Sequence, residues 1–424
     1  MNLHLESSWW LLPPLMAFLG VSITFWCIVG LCRFCWEHLL SPRSRAASMT
    51  VEDVAVVIPA HNEEVALPKC LAALTAIVPA SQIHVASDGS KDRTVEIARA
   101  AGCKVLDIQP NGGKAKALAT AIEAFELCDR YKAVLIQDAD SEIDPDYLYY
   151  ALPLFEDPRN VVVAGHVLSR WRKQFWPSLD MLYAAYRTRL YRLLQYAFQY
   201  GQTWRFTNVS YIAPGFASMY RASVLKHIDV TAPGLVIEDF NMTFEVQRKR
   251  LGRVAYTPAA RCSSEDPFTL NDYRKQVQRW YLGFWQTVRR HGIWPGMFWL
   301  SLSALLIELL TVSALVLALP VLVILHFAID LNMPAFSITG MYIEMTSPLQ
   351  LAALFLATDY ALTIVVSVIE RRPSMLVYGL LFPLVRVLDA ALFWRALTLS
   401  FVAKSDGRWV SPQRYQGNLT PAGA

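Results

Sequence analysis

The stretch from Val54 to Glu63 reads Val-Ala-Val-Val-Ile-Pro-Ala-His-Asn-Glu and places polar residues directly after an apolar run. Similar short runs recur at 83–86, 104–106, 133–136 and 161–164, with amphipathic stretches between them. This alternation predicts a βαβ series around a mostly parallel sheet, from residue 52 to about residue 170. Ligands of such sheets bind beyond the carboxyl ends of the strands, so the residues after each run form the candidate site.

Composition places part of the chain in lipid. Of its 424 residues, 54% are hydrophobic, which exceeds ordinary globular usage. The formal net charge is only +4 and the 39 basic residues are dispersed, which argues against nucleic acid as a partner. The seven cysteines form neither a disulfide framework nor a spaced metal pair.

The N-terminal stretch from Trp9 to Cys32 is nearly free of charge and long enough to cross a bilayer. It lacks the basic n-region and the cleavage site of a signal peptide. Arg33, Arg43 and Arg45 follow it, and the positive-inside rule places what comes next in the cytosol. We therefore predict a membrane helix and linker at 1–50 and a cytosolic domain at 51–265.

Two more stretches can span, Phe298–Ala328 and Leu349–Ile369, and the residues between them contain no Lys or Arg. The stretch from Met375 to Ala403 fits a third span, a re-entrant hairpin broken at Pro383 or an interfacial element, because its charges are costly at mid-bilayer. The predicted units are interfacial helices at 266–297, a membrane region at 298–403 and a tail at 404–424. The protein would be a multi-pass cell-membrane protein.

Residues 171–200 interleave aromatic and basic side chains, which is typical of a helix lying among lipid headgroups. A basic helix packed on the soluble domain is the alternative.

Asp88 follows the second run, in Ser87-Asp88-Gly89-Ser90, and Glu63 follows the first. A carboxylate at Asp88 can accept the N3–H of uracil, and Glu63 can hold a base or ribose edge. Helix capping by Asp88 or Ser90 explains the same residues equally well.

The segment Asn111-Gly112-Gly113-Lys114-Ala115-Lys116 pairs two glycines with two lysines. Glycines permit close backbone approach and the lysines can reach a diphosphate, although a solvated turn is an alternative. The chain has no Gly-x-Gly-x-x-Gly and no Walker sequence, which argues against a dinucleotide or a P-loop nucleotide.

Asp138 and Asp140 follow the fourth run, separated by one residue. Paired carboxylates at a sheet edge suit Mg²⁺ or Mn²⁺ bridging the phosphates of a sugar nucleotide. The alternative is an exposed turn.

Glu238 and Asp239 follow an apolar pair and precede a helix. Either carboxylate could take a proton from an acceptor hydroxyl, while capping by Asp239 is the alternative.

Gln276, Arg279 and Trp280 share one face of an amphipathic helix. Arginine binds phosphate, glutamine donates from its amide, and tryptophan offers a flat face for a sugar ring. An interfacial aromatic belt would explain the tryptophan alone.

In this order, the Pro-Ala-His-Asn-Glu opening at 59–63, Asp88-Gly89-Ser90, Asp138-x-Asp140, Glu238-Asp239 and Gln276-x-x-Arg279-Trp280 resemble family 2 processive glycosyltransferases. These are the cellulose, chitin, hyaluronan and poly-N-acetylglucosamine synthases. The resemblance covers most of residues 54–285 and implies a GT-A catalytic domain with an inverting, metal-dependent reaction.

The resemblance also implies roles for single residues. Asp239, beside Glu238, would be the catalytic base, and Asp138 and Asp140 would hold the metal. The nucleotide would contact the residues Pro59, Glu63, Asp88, Lys114, Asp138, Gln276 and Arg279. The acceptor would contact Trp280, Gly215 and Phe216, while Trp409, Ser411 and Arg414 look like a gating loop. Val277 departs from the polar residue that relatives carry there.

The predicted enzyme transfers sugar from a UDP-sugar, UDP-N-acetylglucosamine being favoured, to a growing polysaccharide at the cytoplasmic face, with Mg²⁺ or Mn²⁺. A glycolipid acceptor, a membrane-lipid environment and an accessory membrane subunit complete its expected partners. One alternative is transfer of a single sugar to a membrane lipid, and another is a noncatalytic membrane subunit or transporter.

Overall fold

The structure is a computed structural model, and it describes residues 20–40, 47–172, 176–329, 336–338, 341–345, 347–403 and 419–421. The strands are β1 Val54–Ala60, β2 Ile83–Asp88, β3 Lys104–Ile108, β4 Ala133–Ile136, β5 Ser141–Ile143, β6 Asn160–Arg172, β7 Ser218–Arg221, β8 Arg253–Ser264, β9 Phe336–Ile338, β10 Met341–Met345 and β11 Leu419–Pro421.

The α-helices, in chain order, are α1 Val21–Cys35, α2 Leu67–Thr75, α3 Thr94–Ala100, α4 Lys114–Ala124, α5 Leu127–Arg130, α6 Tyr147–Ala151, α7 Leu182–Arg192, α8 Tyr200–Gln202, α9 Ala222–Leu225, α10 Glu238–Arg248, α11 Leu270–His291, α12 Met297–Ile329, α13 Pro348–Ile369, α14 Ser374–Gly379 and α15 Phe382–Leu399. A π-helical stretch, Leu193–Gln199, joins α7 to α8.

One mixed sheet organises the described catalytic region, in the order β3-β2-β1-β4-β7-β6-β8-β5. β1 pairs in parallel with β2 and β4, and β2 pairs in parallel with β3. β7 runs antiparallel to β4 and to β6. The predicted α/β fold is confirmed, with antiparallel neighbours added on one side of the parallel strands.

The central strands β1 and β4 are buried on both faces, as strands of parallel sheets are, whereas the edge strand β3 is partly exposed. β1 sends Val54, Val56 and Ile58 into one apolar cluster, and Ala55 and Val57 into another on the opposite face. All its residues are buried, which explains why the run is continuously apolar instead of alternating.

The two C-terminal stretches predicted to span are single helices, α12 and α13. Both are long and apolar enough to cross a membrane, and only 11% and 22% of their most apolar windows are buried within the protein. Such exposure of apolar side chains distinguishes them from the core helices of a soluble domain. The predicted N-terminal span is represented by α1, and its residues 9–19 lie outside the described part.

The stretch from Met375 to Ala403 is two helices, α14 and α15, with Pro383 in the first turn of the second. α15 packs along α11 and α12. The carboxylate of Asp389 accepts hydrogen bonds from the hydroxyls of Tyr186 and Tyr273, at 3.0 and 2.8 Å. The charge of Asp389, which would be costly in lipid, therefore has hydrogen-bond partners inside the protein.

The helical region predicted at 171–200 is shorter in the structure. Trp171 belongs to β6, and the α-helix α7 begins at Leu182. Arg189 of α7 is buried and contacts Asp359 of α13 at 2.7 Å, and Arg386 of α15 contacts the other oxygen of Asp359 at 2.9 Å. Arg189 thus serves a contact with α13, and the choice between an interfacial helix and a basic helix packed on the soluble domain stays a prediction.

Candidate functional site

The site lies where the carboxyl ends of the parallel strands meet. β2 ends at Asp88, which is fully buried and accepts hydrogen bonds from the backbone N–H groups of Gly112 and Gly113 at 2.8 and 2.7 Å. These two N–H groups precede α4, so Asp88 fixes the start of that helix and therefore the position of Lys114. A uracil N3–H would have to share an oxygen of Asp88 with one of these backbone N–H groups. The contact of Asp88 with the uracil base stays a prediction.

The other residues predicted near the base lie at the same edge. Pro59 is buried in β1 opposite Ala86. Glu63 is also buried, and its backbone N–H donates to the hydroxyl of Thr94 at 2.8 Å. The capping role proposed for Asp88 or Ser90 ahead of the next helix falls instead to Asp92, whose carboxylate accepts the N–H of Thr94 at 3.0 Å.

Lys114 joins the two acidic motifs. Its Nζ lies 2.7 Å from Oδ1 of Asp138 and 2.9 Å from Oε1 of Glu238. The first residue of α4 thus contacts the loop after β4 and the first residue of α10. Asp138 and Glu238 are 100 residues apart in the sequence, and both contact the ammonium group of Lys114.

Asp239 is next to this cation and is held by backbone amides. Its Oδ1 accepts from the N–H of Phe240 at 2.6 Å, and its Oδ2 accepts from the N–H of Gly215 at 3.1 Å. Gly215 leaves the approach open, because a Cβ there would lie 3.1 Å from Nζ of Lys114 and 3.2 Å from Oδ2 of Asp239. The adjoining Phe216 is half-buried against the core.

The acids differ in their proton affinity. Burial raises the pKa of Asp239 to about 7, and the neighbouring charge of Glu238 adds to the rise. Burial likewise raises the pKa of Asp138 to about 6 against the opposing charge of Lys114. Burial also opposes ionisation of Glu238, but Lys114 outweighs it and the pKa of Glu238 is lowered. A buried carboxylate that titrates near neutrality is suited to general base chemistry.

The donor set for a cation is small. Asp138 and Asp140 interact electrostatically, and among the described residues no group of three His, Cys, Asp or Glu side chains could hold a metal ion. Two hard carboxylates fit Mg²⁺ or Mn²⁺ that takes its remaining ligands from phosphates and water. The residues therefore suit a cation that arrives with a nucleotide.

Helix α11 carries the Gln-x-x-Arg-Trp motif. Gln276 accepts a hydrogen bond at 3.0 Å from Arg187 of α7, whose guanidinium lies 3.9 Å from the centre of the Trp280 ring. Arg279 is exposed and its charge reaches Glu238. Val277 is buried in an apolar cluster, which accounts for a nonpolar residue at that position.

Sequence reasoning missed two buried groups, Arg187 and Asp266. Arg187 was one of several arginines in a basic helix, and Asp266 follows β8 without any motif. The position of Asp266 directly after a strand, like that of Asp138, was the available signal. The predicted gating residues Trp409, Ser411 and Arg414 lie outside the described residues.

Comparison with known proteins gives a consistent result. A family described as "Glycosyltransferase like family 2" matches residues 52–283, more than half of the chain. Poly-beta-1,6-N-acetyl-D-glucosamine synthase of Staphylococcus epidermidis is 23% identical over 393 residues, covering 87% of this chain and 89% of that protein. Dolichyl-phosphate hexose transferase of Haloferax volcanii is 36% identical over 118 residues, covering 28% of this chain and 50% of that protein.

Among solved structures, a mannosyltransferase from Pyrobaculum calidifontis in complex with GDP-Man and Mn²⁺ superposes with a TM-score of 0.52. It is 16% identical, and the match covers 87% of this chain and 96% of that one. At this identity the likeness concerns the fold, and it agrees with the GT-A architecture expected from the sequence.

Proposed function

Because this chain belongs to glycosyltransferase-like family 2, we propose that it extends a polysaccharide by inverting transfer from a UDP-sugar, with UDP-N-acetylglucosamine as the favoured donor. The observation that carries the proposal is the convergence of Asp138, Glu238 and Lys114, with Asp239 beside them. Similarity to a poly-β-1,6-N-acetyl-D-glucosamine synthase over most of both chains supports the donor and the polymeric product.

In the proposed reaction, Asp239 takes the proton of the acceptor hydroxyl as that oxygen attacks the anomeric carbon. The N–H groups of Gly215 and Phe240 fix the carboxylate for this transfer. UDP departs as the glycosidic bond forms, and the configuration inverts. Lys114, with Arg279 at the rim, stabilises the negative charge that develops on the leaving diphosphate.

Asp138 and Asp140 would hold Mg²⁺ or Mn²⁺, which supplies Lewis-acid stabilisation of the diphosphate. The Pyrobaculum mannosyltransferase complex with GDP-Man and Mn²⁺ supports a divalent cation on this fold.

The membrane placement belongs to the proposal. α12 and α13 would span the bilayer, and the catalytic domain would lie at the cytoplasmic face. α11 and α7 pack against the C-terminal helices, and this packing supports the proposal that the acceptor site would face the membrane region.

A second candidate is transfer of one hexose to a membrane lipid. The Haloferax dolichyl-phosphate hexose transferase matches only part of this chain, but at higher identity than the polysaccharide synthase. The two candidates share the donor site and differ in the product.

Sizing the products separates them. Purified protein in lipid is incubated with labelled UDP-N-acetylglucosamine, UDP-glucose or UDP-glucuronate and with Mg²⁺ or Mn²⁺. High-molecular-weight product supports the proposal, whereas a single-sugar lipid supports the second candidate. Absence of turnover with every donor would contradict both.

A further inference from the structure

A buried polar cluster lies beside the site and has no part in the reaction as described. Arg187 of α7 is 1% exposed and Asp266 is 5% exposed. Ser169 lies beside Asp266, and Arg187 donates to Gln276 from one nitrogen. Within the described part of the chain, Nε of Arg187 and Oδ2 of Asp266 have no hydrogen-bond partner within the protein. Burying a charged group with an unsatisfied atom is costly, and a hydroxyl group of a bound sugar would satisfy such an atom.

The strand register places Asp266 at the edge that carries the metal-binding acids. Ser264, the last residue of β8, lies opposite Ser141 of β5 and Ser169 of β6. β5 begins directly after Asp140, and it runs antiparallel to β8. The chain that leaves β8 toward Asp266 therefore passes alongside Asp140.

Arg187 approaches the same place from α7. It contacts Trp280 and Gln276 of α11, as described above, and its charge acts on Asp266. The described ion pairs include none between Arg187 and Asp266, so the guanidinium and the carboxylate act on each other without direct contact. Tyr191, one turn after Arg187, is near both groups and Asp140, since all three charges act on its hydroxyl.

Asp266, Arg187 and Trp280 supply the kinds of group that proteins use to recognise sugars. A carboxylate accepts from a hydroxyl, a guanidinium donates to its oxygen, and an indole ring covers the apolar face of a pyranose. Arg187 also holds the Trp280 ring by a cation–π contact, which fixes the plane on which a sugar would lie.

Resting on the proposed function, we infer that Arg187 and Asp266 bind hydroxyl groups of the acceptor sugar and hold it against Trp280. Both are specificity-determining residues on the acceptor side, while the donor site consists of Asp138, Lys114 and Arg279. Loss of Asp266 weakens capture of the acceptor without affecting UDP, and loss of Arg187 lowers transfer more than donor hydrolysis.

The test separates transfer to a sugar from transfer to water. For wild type, Asp266→Asn, Arg187→Lys and Arg187→Gln in lipid, three quantities are measured with UDP-N-acetylglucosamine. These are donor hydrolysis without acceptor, transfer to a soluble N-acetylglucosamine oligosaccharide, and UDP affinity. Loss of one charge-assisted hydrogen bond raises the acceptor KM by about ten- to hundredfold. For Asp266→Asn, hydrolysis and UDP affinity stay within about twofold of wild type. Because Arg187 also donates to Gln276, the Arg187 variants are compared by their ratio of transfer to hydrolysis, which should fall below that of wild type.

Arg33→Lys is a matched control. Arg33 is also 1% exposed and lies over an aromatic ring, Tyr200, at 4.1 Å, but it contacts Thr203 and Tyr256 instead of site residues. We expect this variant to keep the wild-type ratio of transfer to hydrolysis.

Three results would overturn the inference. An unchanged acceptor KM in Asp266→Asn would remove the carboxylate from the acceptor site. Equal loss of hydrolysis and transfer in both Arg187 variants would assign Arg187 a structural role. Wild type without hydrolysis or transfer from any UDP-sugar would refute the proposed function itself, a result distinct from the other two.

Discussion

Replacing Lys114 by glutamine removes a positive charge that lies 2.7 Å from Asp138 and 2.9 Å from Glu238. Two effects on the transfer rate follow from the structure. The first is loss of charge stabilisation on the departing diphosphate, for which removal of one aligned donor costs about a hundredfold in kcat. This part does not depend on pH.

The second effect acts through Asp239. Lys114 lowers the pKa of Asp239, which burial and Glu238 raise to about 7. Without the lysine the pKa rises further, and a rise of about one unit corresponds to roughly 1.4 kcal/mol. At pH 7 the ionised fraction then falls about fivefold, and it is recovered at pH 9.

The assay is the pH profile of kcat for UDP release, in wild type and in the variants. Lys114→Gln should lose about two orders of magnitude at high pH and more at pH 7, with its acid limb displaced upward. Lys132→Gln is the control, because this exposed lysine pairs with Asp53 at 3.0 Å and precedes the amino end of β4, whereas the site lies beyond its carboxyl end. An acid limb that does not move in Lys114→Gln would refute the electrostatic link, and an unchanged kcat would remove Lys114 from the leaving group.

Further predictions concern single substitutions at the same site. Asp239→Asn should lower kcat by at least about a hundredfold because the proton acceptor is lost, with UDP affinity by calorimetry nearly unchanged; wild-type turnover would exclude Asp239 as the base. Asp140→Ala should weaken UDP binding with Mn²⁺ present and not with chelator, and equal binding in both conditions would exclude it as a ligand. Gly215→Ala should reduce kcat by about tenfold, since its Cβ would press on Lys114 and Asp239; full activity would show that both side chains yield freely.

Several strands could be predicted from the sequence, because a strand that is buried on both faces is a continuous apolar run. β4 matches the predicted run from Ala133 to Ile136 at both ends, since every residue in it is buried. β6 extends to Arg172, well past the predicted end at 164, because its later polar residues are buried through specific partners. An example is Arg170, which contacts Glu142 at 2.9 Å. Such partners lie far away in sequence and leave no periodicity.

The site was predictable where chemistry and strand ends coincide, and less so elsewhere. Asp138 and Asp239 stand in recognisable motifs, and the fold brings both of them close to Lys114. The attachment of Asp88 to the N–H groups of Gly112 and Gly113 could not be read from sequence, because it depends on how two loops cross. Asp266 was missed for a similar reason, since its position beside Asp140 depends on the register of β8 against β5.

The contact of Asp359 with two arginines bears on how the protein is made. Asp359 lies near the middle of α13, and its partners Arg189 and Arg386 come from helices before and after it in the chain. An aspartate entering lipid alone is penalised by about 3 kcal/mol on insertion scales. Arg189 is synthesised long before α13, so a completed catalytic domain can neutralise the aspartate as α13 leaves the ribosome, whereas Arg386 arrives afterwards. If α13 spans the membrane as proposed, we expect its insertion to be favoured once the domain that carries Arg189 has folded.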